Sequence, residues 1–257
     1  MKIHPTAVVA PNACLGEGVQ INPYAIIEED VTIGAGSVIG SHAVVGRLTT
    51  IGNNCRLFPH AVVGMPPQDL KYKGENTTLT IGNNTVIREF ATLNRGTAAG
   101  GGKTFVGENN FIMAYAHVAH DCHLGKNVII ANAANLAGHV TVEDYAILGG
   151  LTAVHQFVII GSYAIVGGAS AVVKDIVPFA MAAGNRVQIQ GVNLIGLKRH
   201  GIPAQEIINL KRAFKLIFHS KLNTTQALLS ISEQIKDSPN VNRLIDFINN
   251  SQRGISK

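Results

Sequence analysis

Aliphatic residues recur at every sixth position along most of this chain. From residue 106 to 177 they open twelve consecutive groups of six: Val106, Ile112, Val118, Leu124, Ile130, Leu136, Val142, Leu148, Val154, Ile160, Val166 and Val172. Amphipathic helices repeat at about 3.6 residues and strands at 2, so a period of six is typical of neither. It indicates a hexapeptide β-helix.

The fifth place in each group is mostly small or β-branched, as at Ala116, Cys122 and Ala134. One large and one small interior column are therefore expected to pack inside a narrow prism. Three hexapeptides make one triangular turn, which rises by about 4.8 Å, the spacing between neighbouring strands.

The same period runs from Ile3 to Val63 and is interrupted twice before residue 106. We predict one β-helical domain over 1–178, with external loops near 66–78 and 97–104. The second loop is glycine-rich, and the repeat resumes one residue out of phase after it. Loops that interrupt a solenoid are disproportionately functional.

After Pro178 the repeat stops, and the apolar residues take helical spacing. We predict a linker and a C-terminal α-helical domain of about three helices over 179–257. Pro203 suits the first turn of the first helix, and Thr224 or Thr225 is the expected cap of the second. Ser238-Pro239 is expected to open the third.

Composition adds a prediction of self-association. Hydrophobic residues make up 46% of the 257 residues and charged residues only 14%. Such an apolar surface is most simply covered by other copies of the chain.

The sequence contains neither a run of 18 apolar residues nor a signal-peptide hydrophobic region, so we expect a cytoplasmic protein. Cys14, Cys55 and Cys122 follow no metal spacing. A net charge of +5 permits an acidic partner without specifying one.

Four histidines are candidates for a metal site or a catalytic site. Steps of one turn lead from His120 to Gly138 and then to Gln156. His139 directly follows Gly138, and His155 directly precedes Gln156. We expect His120, His139 and His155 to stack at one corner, with His117 nearby. Such a cluster suits either zinc, held by three histidines with an open fourth position, or general base catalysis. Spacing alone leaves both open.

Longer strings resemble one family. Ala116 to Cys122, Leu136 to Val140, Gly149 to Phe157, Gly191 to Asn193, Gly196 to Arg199 and Gln68 to Tyr72 closely resemble the UDP-N-acetylglucosamine O-acyltransferases of lipid A biosynthesis. The resemblance implies a left-handed coil, a homotrimer and no metal. It implies transfer of a 3-hydroxyacyl group from acyl carrier protein to the 3-hydroxyl of UDP-N-acetylglucosamine, the first committed step of that pathway. The only cofactor would be the phosphopantetheine arm of the carrier. No nucleic-acid partner and no transmembrane segment are expected.

The resemblance also assigns site residues. His120 matches the general base, Gly138 the backbone donor to the oxyanion, and Asp121 a residue that orients the imidazole. Gly168 matches the position that limits acyl-chain length. The residues that match substrate-binding positions are Asp69, Lys71, His117, His139, His155, Gln156, Asn193 and Arg199.

Three positions depart from the pattern of better-known relatives. Ile195 replaces a glutamate, His200 an arginine and Asn94 a histidine.

Some members of the family acylate a 3-amino sugar, so amide formation is one alternative function. A zinc enzyme of carbonic anhydrase type is a second, and a non-catalytic scaffold or acyl-carrier-binding module is a third. The helical segment carries a basic set that would suit an acidic carrier protein: Lys198, Arg199, Lys211, Arg212, Lys215 and Lys221.

Overall fold

The computed structural model describes residues 1–257. The chain winds into a triangular coil with three sheets as its sides, and most strands are two residues long. Each strand in the coil pairs in parallel with the strand one turn above it, as Lys2–Ile3 does with Gln20–Ile21. Together with the solved structures described below, this confirms the predicted left-handed parallel β-helix with a C-terminal helical domain.

The strands are numbered in chain order and form three sheets. Sheet I contains β1 (Lys2–Ile3), β4 (Gln20–Ile21), β7 (Val38–Ile39), β10 (Arg56–Leu57), β13 (Val86–Ile87), β16 (Phe111–Ile112), β19 (Ile129–Ile130), β22 (Ile147–Leu148), β25 (Ile165–Val166), β27 (Ala180–Ala183) and β28 (Gln188–Val192). Sheet II contains β2 (Val8–Val9), β5 (Ile26–Ile27), β8 (Val44–Val45), β11 (Val62–Met65), β14 (Thr92–Asn94), β17 (His117–Val118), β20 (Asn135–Leu136), β23 (Ala153–Val154) and β26 (Ala171–Val172). Sheet III contains β3 (Cys14–Leu15), β6 (Thr32–Ile33), β9 (Thr49–Ile51), β12 (Thr78–Ile81), β15 (Lys103–Val106), β18 (His123–Leu124), β21 (Thr141–Val142) and β24 (Ile159–Ile160).

The six-residue period places two columns of side chains inside the coil. The aliphatic opener is the last residue of each two-residue strand and points inward, so Ile130 and Leu136 are completely buried. The small residue four places later, such as Ala134, is also completely buried. Since side chains alternate across a strand, the first strand residue faces outward. That outward position is where His117 lies.

The corners of the coil use left-handed backbone at non-glycine residues. Asp121, His139 and Phe157 occupy the same place in successive turns, with φ angles of 59°, 62° and 64°. This conformation costs roughly 1–2 kcal/mol for an L-residue. Hydrogen bonds between successive corners offset the cost: the N–H of His139 donates to the carbonyl of His120, and that of Phe157 to Gly138. Side chains at one corner are therefore stacked at one-turn intervals.

Both loops leave the coil at the corner between sheets II and III, named here the II–III corner. The first loop covers residues 66–77, between β11 and β12, and the second covers 95–102, between β14 and β15. A short 3-10 helix, Ala98–Gly100, lies in the second loop. Each loop ends slightly before its predicted limit because Thr78 and Lys103 already pair with each other as strand residues.

The C-terminal segment differs from the prediction in two details. Sheet I continues past residue 178 through β27 and the antiparallel β28. Four helices follow instead of three: α1 (Leu194–Arg199), α2 (Ala204–Phe218), α3 (Thr224–Gln234) and α4 (Pro239–Asn250). The six residues of α1 are too few to show a helical period in the sequence. None of these helices is long and apolar enough to span a bilayer.

The helix caps agree with the sequence only in part. Ser238 is the N-cap of α4, with Pro239 in its first turn, as predicted. The prediction of a threonine cap for α3 was wrong. Asn223 caps that helix, because its side chain accepts a hydrogen bond from the N–H of Gln226 at 2.9 Å while the Gln226 side chain accepts from the N–H of Asn223 at 3.1 Å.

Candidate active site

His120 and Asp121 lie side by side at the II–III corner, between β17 and β18. Nδ1 of His120 is 2.8 Å from Oδ2 of Asp121. The Asp121 side chain is 1% exposed and that of His120 15% exposed. A buried carboxylate at Nδ1 favours the tautomer that carries its proton there, which leaves Nε2 free to accept a proton. The pair therefore has the arrangement of a general base and its orienting carboxylate.

Gly138 lies one turn above His120 and in contact with its ring. A β-carbon at residue 138 would be 2.5 Å from Cε1 and 2.8 Å from Nε2 of His120, so any other residue there would displace the imidazole. The N–H of Gly138 donates no hydrogen bond to another backbone group of the chain. An amide donor next to an imidazole is suited to stabilising a negatively charged oxygen.

The second loop holds the Asp121 carboxylate through Thr97, a residue that sequence reasoning missed. The N–H of Thr97 donates to Oδ1 at 2.8 Å, and its hydroxyl donates to Oδ2 at 2.6 Å. The N–H of Asp121 itself donates to Oγ1 of Thr104 at 2.8 Å. The sequence did contain a signal for this contact: the glycine-rich insertion lies at the same corner as Asp121, one turn earlier in the chain.

His139 completes a compact group with His120 and Asp121. Its Nε2 lies 3.7 Å from Oδ2 of Asp121, and its ring meets that of His120 edge-on at 5.2 Å. The predicted continuation of the stack through His155 was wrong, because Phe157 stacks on His139 at 4.5 Å. Positions 121, 139 and 157 share the corner conformation, whereas His155 lies two residues earlier and is exposed.

Metal-ligand atoms of His120, Asp121 and His139 lie within 4.8 Å of one another. This spacing is compatible with a metal ion. However, both oxygens of Asp121 already accept hydrogen bonds from Thr97 or contact His120. Coordination by Asp121 would compete with these contacts, so the geometry fits the general-base arrangement better.

His117 lies beside this group on the outer face of sheet II. Its Nδ1 is 2.7 Å from the hydroxyl of Thr92. Burial, with a smaller contribution from His120, lowers the pKa of His117 below its usual value. His117 is therefore neutral at neutral pH and available as a hydrogen-bonding group. Gln156 lies one turn above Gly138 at the same corner, and Nδ1 of His155 approaches its carbonyl at 3.1 Å.

The first loop carries Asp69 and Lys71 out from the corner two turns below His120. Oδ1 of Asp69 accepts the N–H of Lys71 at 2.9 Å, which shapes the loop tip. Arg95 supports the loop from beneath: its guanidinium donates to the carbonyl of Gly64 at 2.9 Å and to the hydroxyl of Tyr72 at 3.2 Å. Arg95 is only 6% exposed, and sequence reasoning did not single it out.

Family profiles match parts of this chain, and a named relative matches nearly all of it. The profile described as "Udp N-acetylglucosamine O-acyltransferase; Domain 2" matches residues 175–256, and the bacterial transferase hexapeptide profile matches residues 15–47 and 103–138. The acyl-[acyl-carrier-protein]–UDP-N-acetylglucosamine O-acyltransferase of Alkalilimnicola ehrlichii is 54% identical over 254 residues, which cover 99% of this chain and 98% of the relative.

Solved structures agree with this match. LpxA from Acinetobacter baumannii superposes with a TM-score of 0.96 at 46% identity, covering 99% of both chains. The UDP-N-acetylglucosamine acyltransferase from Campylobacter jejuni has a TM-score of 0.94 at 46% identity, again covering 99% of both chains. The chain belongs to the UDP-N-acetylglucosamine O-acyltransferase family. The predicted enzyme class is thereby confirmed, and neither the zinc enzyme nor the scaffold is favoured.

The remaining residues assigned by resemblance to this family lie away from His120. Asn193 is 8% exposed. Its Oδ1 accepts the N–H of Gly196 at 3.0 Å and its Nδ2 donates to the carbonyl of Tyr163 at 2.8 Å, so its side chain caps α1. Asn193 and Arg199 border a pocket of about 340 Å³ beside Ile147 and Ile165 of sheet I. Within one chain this pocket and His120 occupy different sides of the coil.

The positions that depart from better-known acyltransferases have distinct environments. Ile195 is 74% exposed at the rim of the sheet I pocket. His200 packs its ring against Tyr145 and Tyr163, at centroid distances of 4.8 and 5.6 Å. Asn94 is buried and donates to the carbonyl of Pro66 at 2.9 Å, so it fixes the start of the first loop.

Gly168 lies at the corner between sheets I and II. A β-carbon there would be 3.1 Å from the carbonyl oxygen of Gly150, a tight approach. The neighbouring outward residues of sheet II are small, Ala153 and Ala171. A side chain at 168 would therefore project beside an otherwise smooth strip. A cavity of about 1020 Å³ lies between the last turn and the C-terminal tail and includes no residue of the His120 group.

Proposed function

We propose that this chain transfers a 3-hydroxyacyl group from acyl carrier protein to the 3-hydroxyl of UDP-N-acetylglucosamine, as the first step of lipid A biosynthesis. The observation that carries the proposal is the close packing of the Asp121-bound imidazole of His120 against Gly138, whose N–H has no backbone acceptor in the chain. The named relatives and solved structures support the same reaction. The name of the Alkalilimnicola ehrlichii relative specifies O-acylation, which favours the hydroxyl over an amine as acceptor.

In the proposed mechanism, Nε2 of His120 removes the proton from the sugar hydroxyl as its oxygen attacks the thioester carbonyl. The carbonyl oxygen becomes an oxyanion that the N–H of Gly138 stabilises. Collapse of this intermediate breaks the carbon–sulfur bond, and the pantetheine thiolate takes the proton back from His120. A general base typically contributes about 10²–10⁴ in rate, and a single oxyanion donor about 10²–10³.

Asp69, Lys71, His117, His139, His155 and Gln156 are the proposed substrate contacts around this centre. A lysine is a compact charge suited to a diphosphate, and Lys71 is exposed at the loop tip. His139 is held between Asp121 and Phe157 and presents a fixed edge to the site. Gly168 is the proposed limit of acyl-chain length, because a side chain there would narrow the strip along sheet II.

We propose that the enzyme acts as a cytoplasmic homotrimer whose clefts combine His120 of one copy with Asn193 and Arg199 of the next. Support comes from the separation of these residues within one chain and from the apolar composition. Mixing inactive His120→Ala and Arg199→Ala chains would test the arrangement, since random reassembly of a cyclic trimer restores roughly a quarter of the clefts. Recovery of no activity would contradict a shared site.

The exposed face of α2 is the proposed docking surface for the acidic carrier protein. Lys211, Arg212 and Lys215 all lie on this face and are exposed, while the apolar residues of the helix are buried. Opposite charges on two partners raise the rate of encounter, and salt weakens the effect. Lys198 and Lys221 extend the basic surface at either end of the helix.

The deciding experiment is an acyl-transfer assay with long-chain 3-hydroxyacyl carrier protein and UDP-N-acetylglucosamine in metal-free buffer. The wild type is expected to be active and His120→Ala nearly inactive, while His60→Ala, which changes a corner histidine far from the site, keeps full activity. Activity only on the 3-amino sugar would mean that the acceptor is an amine and that the proposed hydroxyl acceptor is wrong. An inactive wild type that gains activity with zinc would overturn the proposal.

A further inference from the structure

We propose that Thr97 is a positioning residue for acyl transfer: it fixes the Asp121 carboxylate, and Asp121 in turn fixes the ring of His120. The inference deepens the proposed function and depends on His120 being the base. The inference gives the glycine-rich second loop a role in catalysis. Between Gly96 and Gly102 the hydroxyl of Thr97 is the one polar side chain of this loop.

Thr97 holds the carboxylate at both oxygens. Its N–H reaches Oδ1 at 2.8 Å and its hydroxyl reaches Oδ2 at 2.6 Å, the oxygen that also contacts His120. Thr97 is 5% exposed. Hydrogen bonds to a charged, buried acceptor are among the stronger ones in proteins. Two of them from a single residue leave the carboxylate one orientation.

The loop is shaped around this contact. Thr97 is the N-cap of the 3-10 helix, and its hydroxyl oxygen also accepts the N–H of Gly100 at 3.1 Å. Gly100 packs directly on the carboxylate, since a β-carbon there would lie 2.1 Å from Cγ of Asp121. The loop therefore covers Asp121 as well as donating to it.

Regular corners of the coil lack this arrangement. The corner residue normally donates its N–H to the carbonyl one turn below, as His139 does to His120. Asp30 occupies the same corner as Asp121 with a similar φ of 57°, but it is exposed and receives its side-chain hydrogen bond from Asn12. The insertion is what brings a backbone N–H and a hydroxyl together onto one carboxylate.

The test compares Thr97→Val, which removes the hydroxyl and keeps the shape, with Thr97→Ser, which restores it. We expect Thr97→Val to lower kcat about 10- to 100-fold, since it removes a hydrogen bond to a charged group. KM for the UDP-sugar is expected to change by less than about threefold, and Thr97→Ser to recover most of the activity.

A pH profile separates positioning from simple loop stability. The titratable groups around His120 are Asp121, His139 and His117. A carboxylate that has lost a donor holds a protonated imidazole more strongly, so the acid limb of kcat/KM for Thr97→Val is expected to move to higher pH. A purely structural role would lower the melting temperature and leave that limb unchanged.

Two results would overturn the inference: a Thr97→Val enzyme with wild-type kcat and pH profile, or Thr97→Ser as impaired as Thr97→Val. The proposed function is judged separately, by wild type against His120→Ala in the same assay. If wild type is active and His120→Ala is not, failure of the Thr97 variants counts only against the positioning role.

Discussion

His120 lies directly beneath Gly138, one full turn of the coil away, and the absent side chain of Gly138 is what makes room for the imidazole. A β-carbon at residue 138 would be 2.5 Å from Cε1 of His120. The position needs glycine for close approach and not for backbone conformation, because Gly138 is not among the residues with positive φ. The base and the amide donor are thus placed by the same contact.

Gly138→Ala is expected to reduce kcat about 100-fold, because displacing a catalytic group by about 1 Å costs roughly that much. Since the ring of His120 can rotate away, the melting temperature should change little. Gly150→Ala is the matched control: it stands at an equivalent corner position, and a β-carbon there would lie 3.2 Å from the carbonyl oxygen of Asn132. Equal kcat for Gly138→Ala and wild type would contradict the role assigned to this contact.

Asp121→Asn is expected to lower kcat by at least about 100-fold, because the amide can donate to Nδ1 of His120 and favour the tautomer that cannot accept a proton at Nε2. Steady-state kinetics with both substrates measures this effect. Asp30→Asn is the control, since Asp30 occupies the same corner conformation away from the site. Retention of activity by Asp121→Asn would mean that the carboxylate does not orient the base.

The sequence predicted the coil and the place of His120 well, because a six-residue period converts chain position directly into height and corner. The sequence-based prediction failed where a contact depends on the local backbone conformation of a corner or a loop. His155 was assigned to the stack from its number, whereas the corner conformation places Phe157 over His139. Thr97 and Arg95 were missed because their contacts with Asp121 and Tyr72 depend on the paths of the loops, which no period specifies.

Tyr72→Phe is expected to raise KM for the UDP-sugar about tenfold while kcat changes little. The substitution removes the hydrogen bond from Arg95 and the one that the Tyr72 hydroxyl donates to the carbonyl of Glu75 at 2.7 Å. Two such bonds contribute roughly 1 kcal/mol each to holding the loop that carries Asp69 and Lys71. Tyr24→Phe, at an exposed corner, is the control, and an unchanged KM in Tyr72→Phe would contradict anchoring of the loop by Arg95.

Stability is expected to fall as the pH drops below about 6.5. Burial lowers the pKa of His117 from 6.5 in the folded protein. Below 6.5 the unfolded chain binds protons that the folded chain does not, so the free energy of unfolding decreases until the lowered folded pKa is reached. His117→Gln should reduce the change in melting temperature between about pH 7.5 and 5.5. His4→Gln, at an exposed site, should leave it unchanged, and an equal pH dependence in His117→Gln and wild type would contradict this origin.

Charge reversal on the outer face of α2 is expected to weaken use of the acyl donor. Lys211→Glu with Arg212→Glu should raise KM for acyl carrier protein roughly tenfold at low salt, because electrostatic steering of an acidic partner is lost. The difference from wild type should shrink as salt is added, since charges farther apart than about 8–10 Å are screened at physiological ionic strength. KM for the UDP-sugar should not change. Lys2→Glu with Arg56→Glu, in the first and tenth strands away from α2, lowers the net charge by the same amount and is the control. If the α2 double variant and this control behave alike, the carrier protein docks elsewhere.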